Sequence, residues 1–183
     1  MFTRSIALSL VAFAGLHASP ALAEEISCAG TLGAVSVDNV FVPDGSTCVM
    51  DLTRVKGSVV VGTGSTLYAR SVRVVGNVQA EGSALVDISG TSSVGGAVQV
   101  VQGGGALIRQ ARITGDLQLE SNRARVTATG NVVGGNLQAF QNQGGVVLRN
   151  NRIHGNLQCK ANVPAPTGSG NLAASKEDQC ARL

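Results

Sequence analysis

One short phrase recurs along this 183-residue chain. Val74-Val75-Gly76-Asn77-Val78-Gln79 returns as Ile113-Thr114-Gly115-Asp116-Leu117-Gln118, as Val133-Gly134-Gly135-Asn136-Leu137-Gln138 and as Ile153-His154-Gly155-Asn156-Leu157-Gln158. Looser copies stand at Val55-Lys56-Gly57-Ser58-Val59 and Val94-Gly95-Gly96-Ala97-Val98-Gln99. The anchor glycines Gly57, Gly76, Gly96, Gly115, Gly135 and Gly155 lie 19 or 20 residues apart each time. A fixed period of about 20 carrying short β-branched runs specifies stacked coils, each burying its apolar side against its neighbours.

Alignment on the anchor shows which side chains face inward. Two residues before it stand Val55, Val74, Val94, Ile113, Val133 and Ile153; two after it stand Val59, Val78, Val98, Leu117, Leu137 and Leu157. Four after it stand Val61, Ala80, Val100, Leu119, Ala139 and Cys159. A period of two is the strand signature, and a second strand runs through Leu67, Val86, Ile88, Ile108, Val126 and Leu148. The expected fold is all-β: a single-domain parallel β-helix of about six coils of 19–20 residues with disulfide-bonded caps. The anchor glycine is expected to mark a corner whose backbone a Cβ would strain. Asn122, Asn142 and Asn162, seven residues after their anchors, predict a ladder of stacked amides in the left-handed conformation; Gly64, Ser83 and Gly103 take that place in earlier coils.

The two ends lie outside the rhythm. Residues 1–23 read as a signal peptide: Arg4, an apolar run from Ile6 to Gly15, and Ala21-Leu22-Ala23 before Glu24. The apolar run is too short to span a membrane, which takes about 20 residues. Residues 24–50 and 160–183 read as an N-terminal and a C-terminal cap around repeats at 51–159. All four cysteines follow the expected cleavage point, and disulfides are the default in an exported chain. Six coils separate Cys28 and Cys48 from Cys159 and Cys180, so the predicted bridges are Cys28–Cys48 and Cys159–Cys180.

Little of the composition points to chemistry. Without Arg4 the chain carries 13 basic and 11 acidic residues, too even a balance for nucleic acid. His154 is the one histidine after residue 23, and the cysteine spacings are far from those of zinc sites; no metal or other cofactor is expected. The outward columns remain. Gln79, Gln99, Gln118, Gln138 and Gln158, three after the anchor, form a neutral hydrogen-bonding strip; it either bonds to itself along the stack or binds a repeating polymer such as a glycan. Glu81 and Glu120 flank it, two coils or about 9.6 Å apart, near the upper limit for an inverting glycosidase. Arg54, Arg73, Arg112 and Arg152 precede the anchor by three, with Arg70, Arg109 and Arg149 near the second strand. These are either solvated charges or a basic face for an anionic polymer.

The glycine-anchored rhythm of residues 55–158 resembles the bactofilins, bacterial β-helix proteins that form polymers. Bactofilins are cytoplasmic, uncapped and poor in cysteine, so the leader and cysteines point away from filaments here. Gly155-Asn156-Leu157-Gln158-Cys159-Lys160-Ala161-Asn162, followed by Pro164, Pro166, Asn171 and Lys176-Glu177-Asp178-Gln179-Cys180, resembles the C-terminal end of small exported bacterial proteins of uncharacterised function. The resulting expectation is a secreted or periplasmic, non-enzymatic structural or binding protein. It is expected to be monomeric and without a membrane span, with an envelope polysaccharide or another envelope protein as partner. The alternative is a polysaccharide-binding or polysaccharide-acting protein using the Gln strip with Glu81 and Glu120.

Overall fold

A computed structural model describes residues 24–183; the expected signal peptide, residues 1–23, lies outside them. The described residues form a right-through stack of three parallel sheets and contain no helix. One turn shows the plan. Arg73–Val74 belongs to sheet C, Val78–Glu81 to sheet A and Leu85–Ser89 to sheet B. Each strand pairs with its counterpart in the turns before and after, so Val78 stacks on Val59 and Val98, and Val86 on Leu67 and Ala106. Sheets A, B and C hold nine, eight and seven strands.

Every residue of the three inward columns is buried. They do not share one strand, however. The residue two before the anchor lies in sheet C, whereas those two and four after it lie in sheet A, and the anchor glycine turns the corner between them. None of the six anchor glycines has a left-handed φ, so conformational freedom is not why glycine stands there. The reason is space. At Gly115 a Cβ would meet the backbone of Gly96 and Ala97. At Gly96, Gly135 and Gly155 the side chain following the preceding anchor folds over the glycine, and a Cβ would collide with Asn77 Oδ1, Asp116 Oδ1 and Asn136 Oδ1 in turn. That oxygen accepts the next backbone N–H of the following turn, at 2.8 Å from Ala97 to Asn77 and 2.9 Å from Asn156 to Asn136. The recurring Gly-Asn pair is therefore one device, an amide seated above a glycine that leaves it room.

The predicted asparagine ladder is present, with a different backbone. Asn122, Asn142 and Asn162 are buried, and the left-handed residues are those just before them: Ser121 (φ 55°), Gln141 (56°) and Ala161 (55°). Asn142 accepts from the backbone and side-chain nitrogens of Asn122, both at 3.0 Å, and donates to Leu119 O and Asn162 Oδ1, both at 2.9 Å. Gln179 ends the ladder by accepting from Asn162 N at 2.9 Å. A second ladder, Asn131, Asn151 and Asn171, closes the corner between sheets B and C in the same way. Sequence reasoning missed it, although its 20-residue spacing is visible.

The end segments, expected as caps, pair into the stack as further turns. Glu25–Ser27 pairs with Asn39–Val42, Thr47–Asp51 with Thr66–Arg70, and Lys176–Asp178 with Leu157–Lys160. The stack therefore has about eight turns, not six. Alignment stops short because the glycine phrase is absent from both end turns; sheet-C strand Ser36–Val37 is the first of its sheet, with no earlier strand beneath it. Both predicted disulfides are present, with Cα–Cα distances of 5.4 Å for Cys28–Cys48 and 5.2 Å for Cys159–Cys180. All four cysteines are buried inside the coil, Cys48 stacked on Leu67 and Cys159 on Ala139, so each bridge closes one end of the core. The outermost strands of sheet A carry Glu25 at one end, just after Glu24, and Lys176, Glu177 and Asp178 at the other, charges that discourage another chain from adding to the edge.

Candidate functional surface

Sheet A puts the five glutamines in one unbroken column, rung upon rung. Glu177 continues it at the C-terminal end, Val60 and Phe41 at the other. Much of its hydrogen-bonding capacity is used internally. Gln99 donates to Gln118 at 3.3 Å, Gln138 to Gln158 at 2.9 Å and Gln158 to Glu177 at 2.7 Å. Gln118 turns aside to donate to Glu120 at 2.8 Å, which breaks the chain of amides between Gln118 and Gln138. The side-chain amide of Gln79 makes no hydrogen bond among the described residues, its backbone being paired with the strands on either side.

Glu81 and Glu120 occupy one outward column with Val101 between them, two rungs apart, and Phe140 and Lys160 follow. They border different depressions. Glu81 borders an open depression of about 530 Å³ with Asp44, Thr63, Gln79 and Gln99; Glu120 borders another of about 210 Å³ with Phe140, Gln141 and Lys160. The glutamines and the two carboxylates thus stand in outward columns of sheet A, the carboxylates two rungs apart.

Two carboxyl groups are held below their ordinary range, one near each end. Hydrogen bonds from Ser175 and then Gln158 lower the pKa of Glu177. A hydrogen bond from Lys56 Nζ, at 2.7 Å, leads the causes that lower Asp38, followed by the backbone N–H of Glu24 and the charge of Lys56. Neither borders a depression with Glu81 or Glu120. Among the described residues, no group of three or more His, Cys, Asp or Glu side chains could hold a metal ion, and all four cysteines are bridged. His154 stands exposed beside its anchor glycine.

The arginines gather on the opposite side. Arg54, Arg73, Arg112 and Arg152 lie in the outward column of sheet C, Arg54 and Arg73 on adjacent rungs and the others two rungs apart. Arg70, Arg109 and Arg149 lie at the neighbouring ends of sheet-B strands. All seven are exposed, and among the described residues only Arg109 forms an ion pair, with Asp87 at 2.8 Å. No helix among the described residues is long and apolar enough to cross a membrane. No family model, curated protein or solved structure matches the chain.

Proposed function

We propose that the chain is an exported, non-catalytic envelope protein, a rigid rod that acts by presenting flat faces to a structural or binding partner. The observation carrying this reading is the uniformity of the turns. Anchor spacings differ by a single residue, so no insertion builds a cleft where substrate could be held away from water. Two core-filling disulfides support a compartment outside the cytoplasm, where such bridges persist. The leader-like residues 1–23 support the same assignment.

A second reading is favoured by one feature, the depression at Gln79, Glu81 and Gln99, where an amide and a carboxylate remain available beside the apolar Val60 and Val101. It makes sheet A a polysaccharide-binding or polysaccharide-acting face. One experiment separates the two. The mature chain is incubated with a panel of neutral and anionic polysaccharides while co-sedimentation and reducing-end release are both followed. Binding without release, unchanged in Gln79→Ala and Glu81→Gln, is expected. Release that disappears in Glu81→Gln and Glu120→Gln would replace the non-catalytic reading with the second.

A further inference from the structure

The arginines repeat at twice the period of the fold. Arg70 and Arg73, Arg109 and Arg112, and Arg149 and Arg152 each stand three residues apart across the corner between sheets B and C. The intervening turns carry Ser89 and Ser93, then Thr129 and Val132, at those places. From Arg70 onward, paired-arginine ridges thus recur every second rung, about 9.6 Å apart. Arg54, one rung before Arg73, is accompanied by Asp51 instead of a second arginine and stands outside this repeat. Open depressions line the same corner. An open depression of about 210 Å³ between Arg73 and Arg112 is floored by Ser93 and Gly95, and another of about 550 Å³ surrounds Arg109 with Gly90, Thr129 and Gly130.

We propose that this corner binds an unbranched anionic polysaccharide lying along the stack, with one acidic group on every second sugar. Three observations favour that partner. Guanidinium groups match carboxylate or sulfate oxygens with two parallel hydrogen bonds, and all six positions are arginine rather than lysine. Among the described strands of sheets B and C only Asp51 and Asp87 are acidic, Asp87 pairing with Arg109, whereas Glu81, Glu120 and Glu177 stand in the outward columns of sheet A. The ridge spacing suits an extended disaccharide repeat. Duplex phosphates, one per about 3.4 Å of helix axis on each strand, would place roughly three charges per strand against each ridge interval.

The proposal rests on the non-catalytic binding reading and adds the face and the ligand class. The test uses the mature, oxidised chain with hyaluronan oligosaccharides, which carry one carboxylate per disaccharide. Polygalacturonate, neutral dextran, duplex DNA and phosphatidylglycerol vesicles serve as comparisons. Expected is salt-sensitive binding of hyaluronan that strengthens with length up to about three disaccharides, the number of ridges. Arg73→Ser and Arg112→Ser, which install the serine found at the equivalent Ser93, should each weaken it about tenfold at unchanged melting temperature.

The decisive variant pairs Ser93→Arg with Arg112→Ser, which keeps the charge and moves one arginine by one rung. It should lose as much affinity as Arg112→Ser alone. Parental affinity in that variant overturns the spacing argument. Equal or tighter binding of DNA or vesicles overturns the choice of partner, and absence of polyanion binding at low salt overturns the site. Cleavage of the bound polymer would count against the non-catalytic reading while leaving the binding corner standing.

Discussion

The two halves of the stack share a fold and differ at its corners. From Asn122 onward each corner flanking sheet B is closed by a buried asparagine ladder; before it, the same columns hold Gly64, Ser83 and Gly103 on one side and Thr53, Val72, Ser92 and Ala111 on the other. The turn itself widens with the change. Leu67, Val86 and Ala106 follow their anchors by ten residues, Val126 and Val146 by eleven. In the earlier half, Ser83 Oγ is buried with no partner. An asparagine makes up to four hydrogen bonds where a glycine or valine makes none, so one architecture is held together locally by different means. Because the turns of a solenoid are stabilised chiefly by their neighbours, the asparagine-rich half should open last.

The sharpest way to break this comparison is substitution at matched corners. Asn142→Ala removes four buried hydrogen bonds and should cost about 3–5 kcal/mol, whereas Ser83→Ala, deleting an unpartnered hydroxyl, should change stability by less than about 0.5 kcal/mol. Denaturant melts of the two variants check this; similar losses would end the distinction. Removal of each disulfide comes next. Loops of 20 and 21 residues predict about 3 kcal/mol for either bridge. The extent of opening should nevertheless differ by end. With Cys28→Ser and Cys48→Ser, amide exchange should accelerate from residue 24 into the asparagine-poor turns near Ser83. With Cys159→Ser and Cys180→Ser, acceleration should stay beyond Asn162.

A smaller effect would sharpen the comparison from the other side. Ala111 stands in the column of Asn131 and already donates its backbone N–H to Asn131 Oδ1 at 2.9 Å. Ala111→Asn extends the second ladder by one rung, and a gain of about 1 kcal/mol is expected in thermal or denaturant melts. A clear loss would show that the earlier turns are shaped against asparagine rather than merely lacking it.

The smallest effect is local and depends on pH. Glu177 has its pKa lowered by Ser175 and Gln158, so its stabilisation is present above the unfolded glutamate value and fades as pH falls through the folded one. Protection factors in residues 172–183, corrected for the intrinsic slowing of amide exchange in acid, should therefore fall on acidification, and Glu177→Gln should flatten that dependence. An unchanged acid profile in this variant would assign the effect elsewhere.

The inward columns were legible in the sequence because strand alternation and a fixed period leave the core positions little freedom, as the Val133 and Leu137 columns show. The cysteine pairing was legible because stacking separates the two pairs along the rod. Two readings went astray at the corners for one reason. Glycine and asparagine are the usual residues of left-handed turns, yet here Gly135 makes room for Asp116 and Asn142 bonds along a buried column, while Gln141 takes the positive φ. Those roles depend on what lies one turn away, which residue type alone does not reveal. The glutamine strip was legible as a column; its interruption at Gln118 follows from a side-chain choice toward Glu120.

The amide-over-glycine seat also bears on how such a chain can change length. Each seat involves only one turn and the next, so duplication of a whole turn reproduces both halves of every seat and keeps the new turn in register. Insertion of a single residue between Val133 and Leu137 would move Asn136 off Gly155 and reverse the inward and outward faces of the following strand. The corners flanking sheet B already differ by one residue between turns, and they are where small insertions should accumulate. Gene duplication and point insertion therefore meet different resistance at different places along one turn.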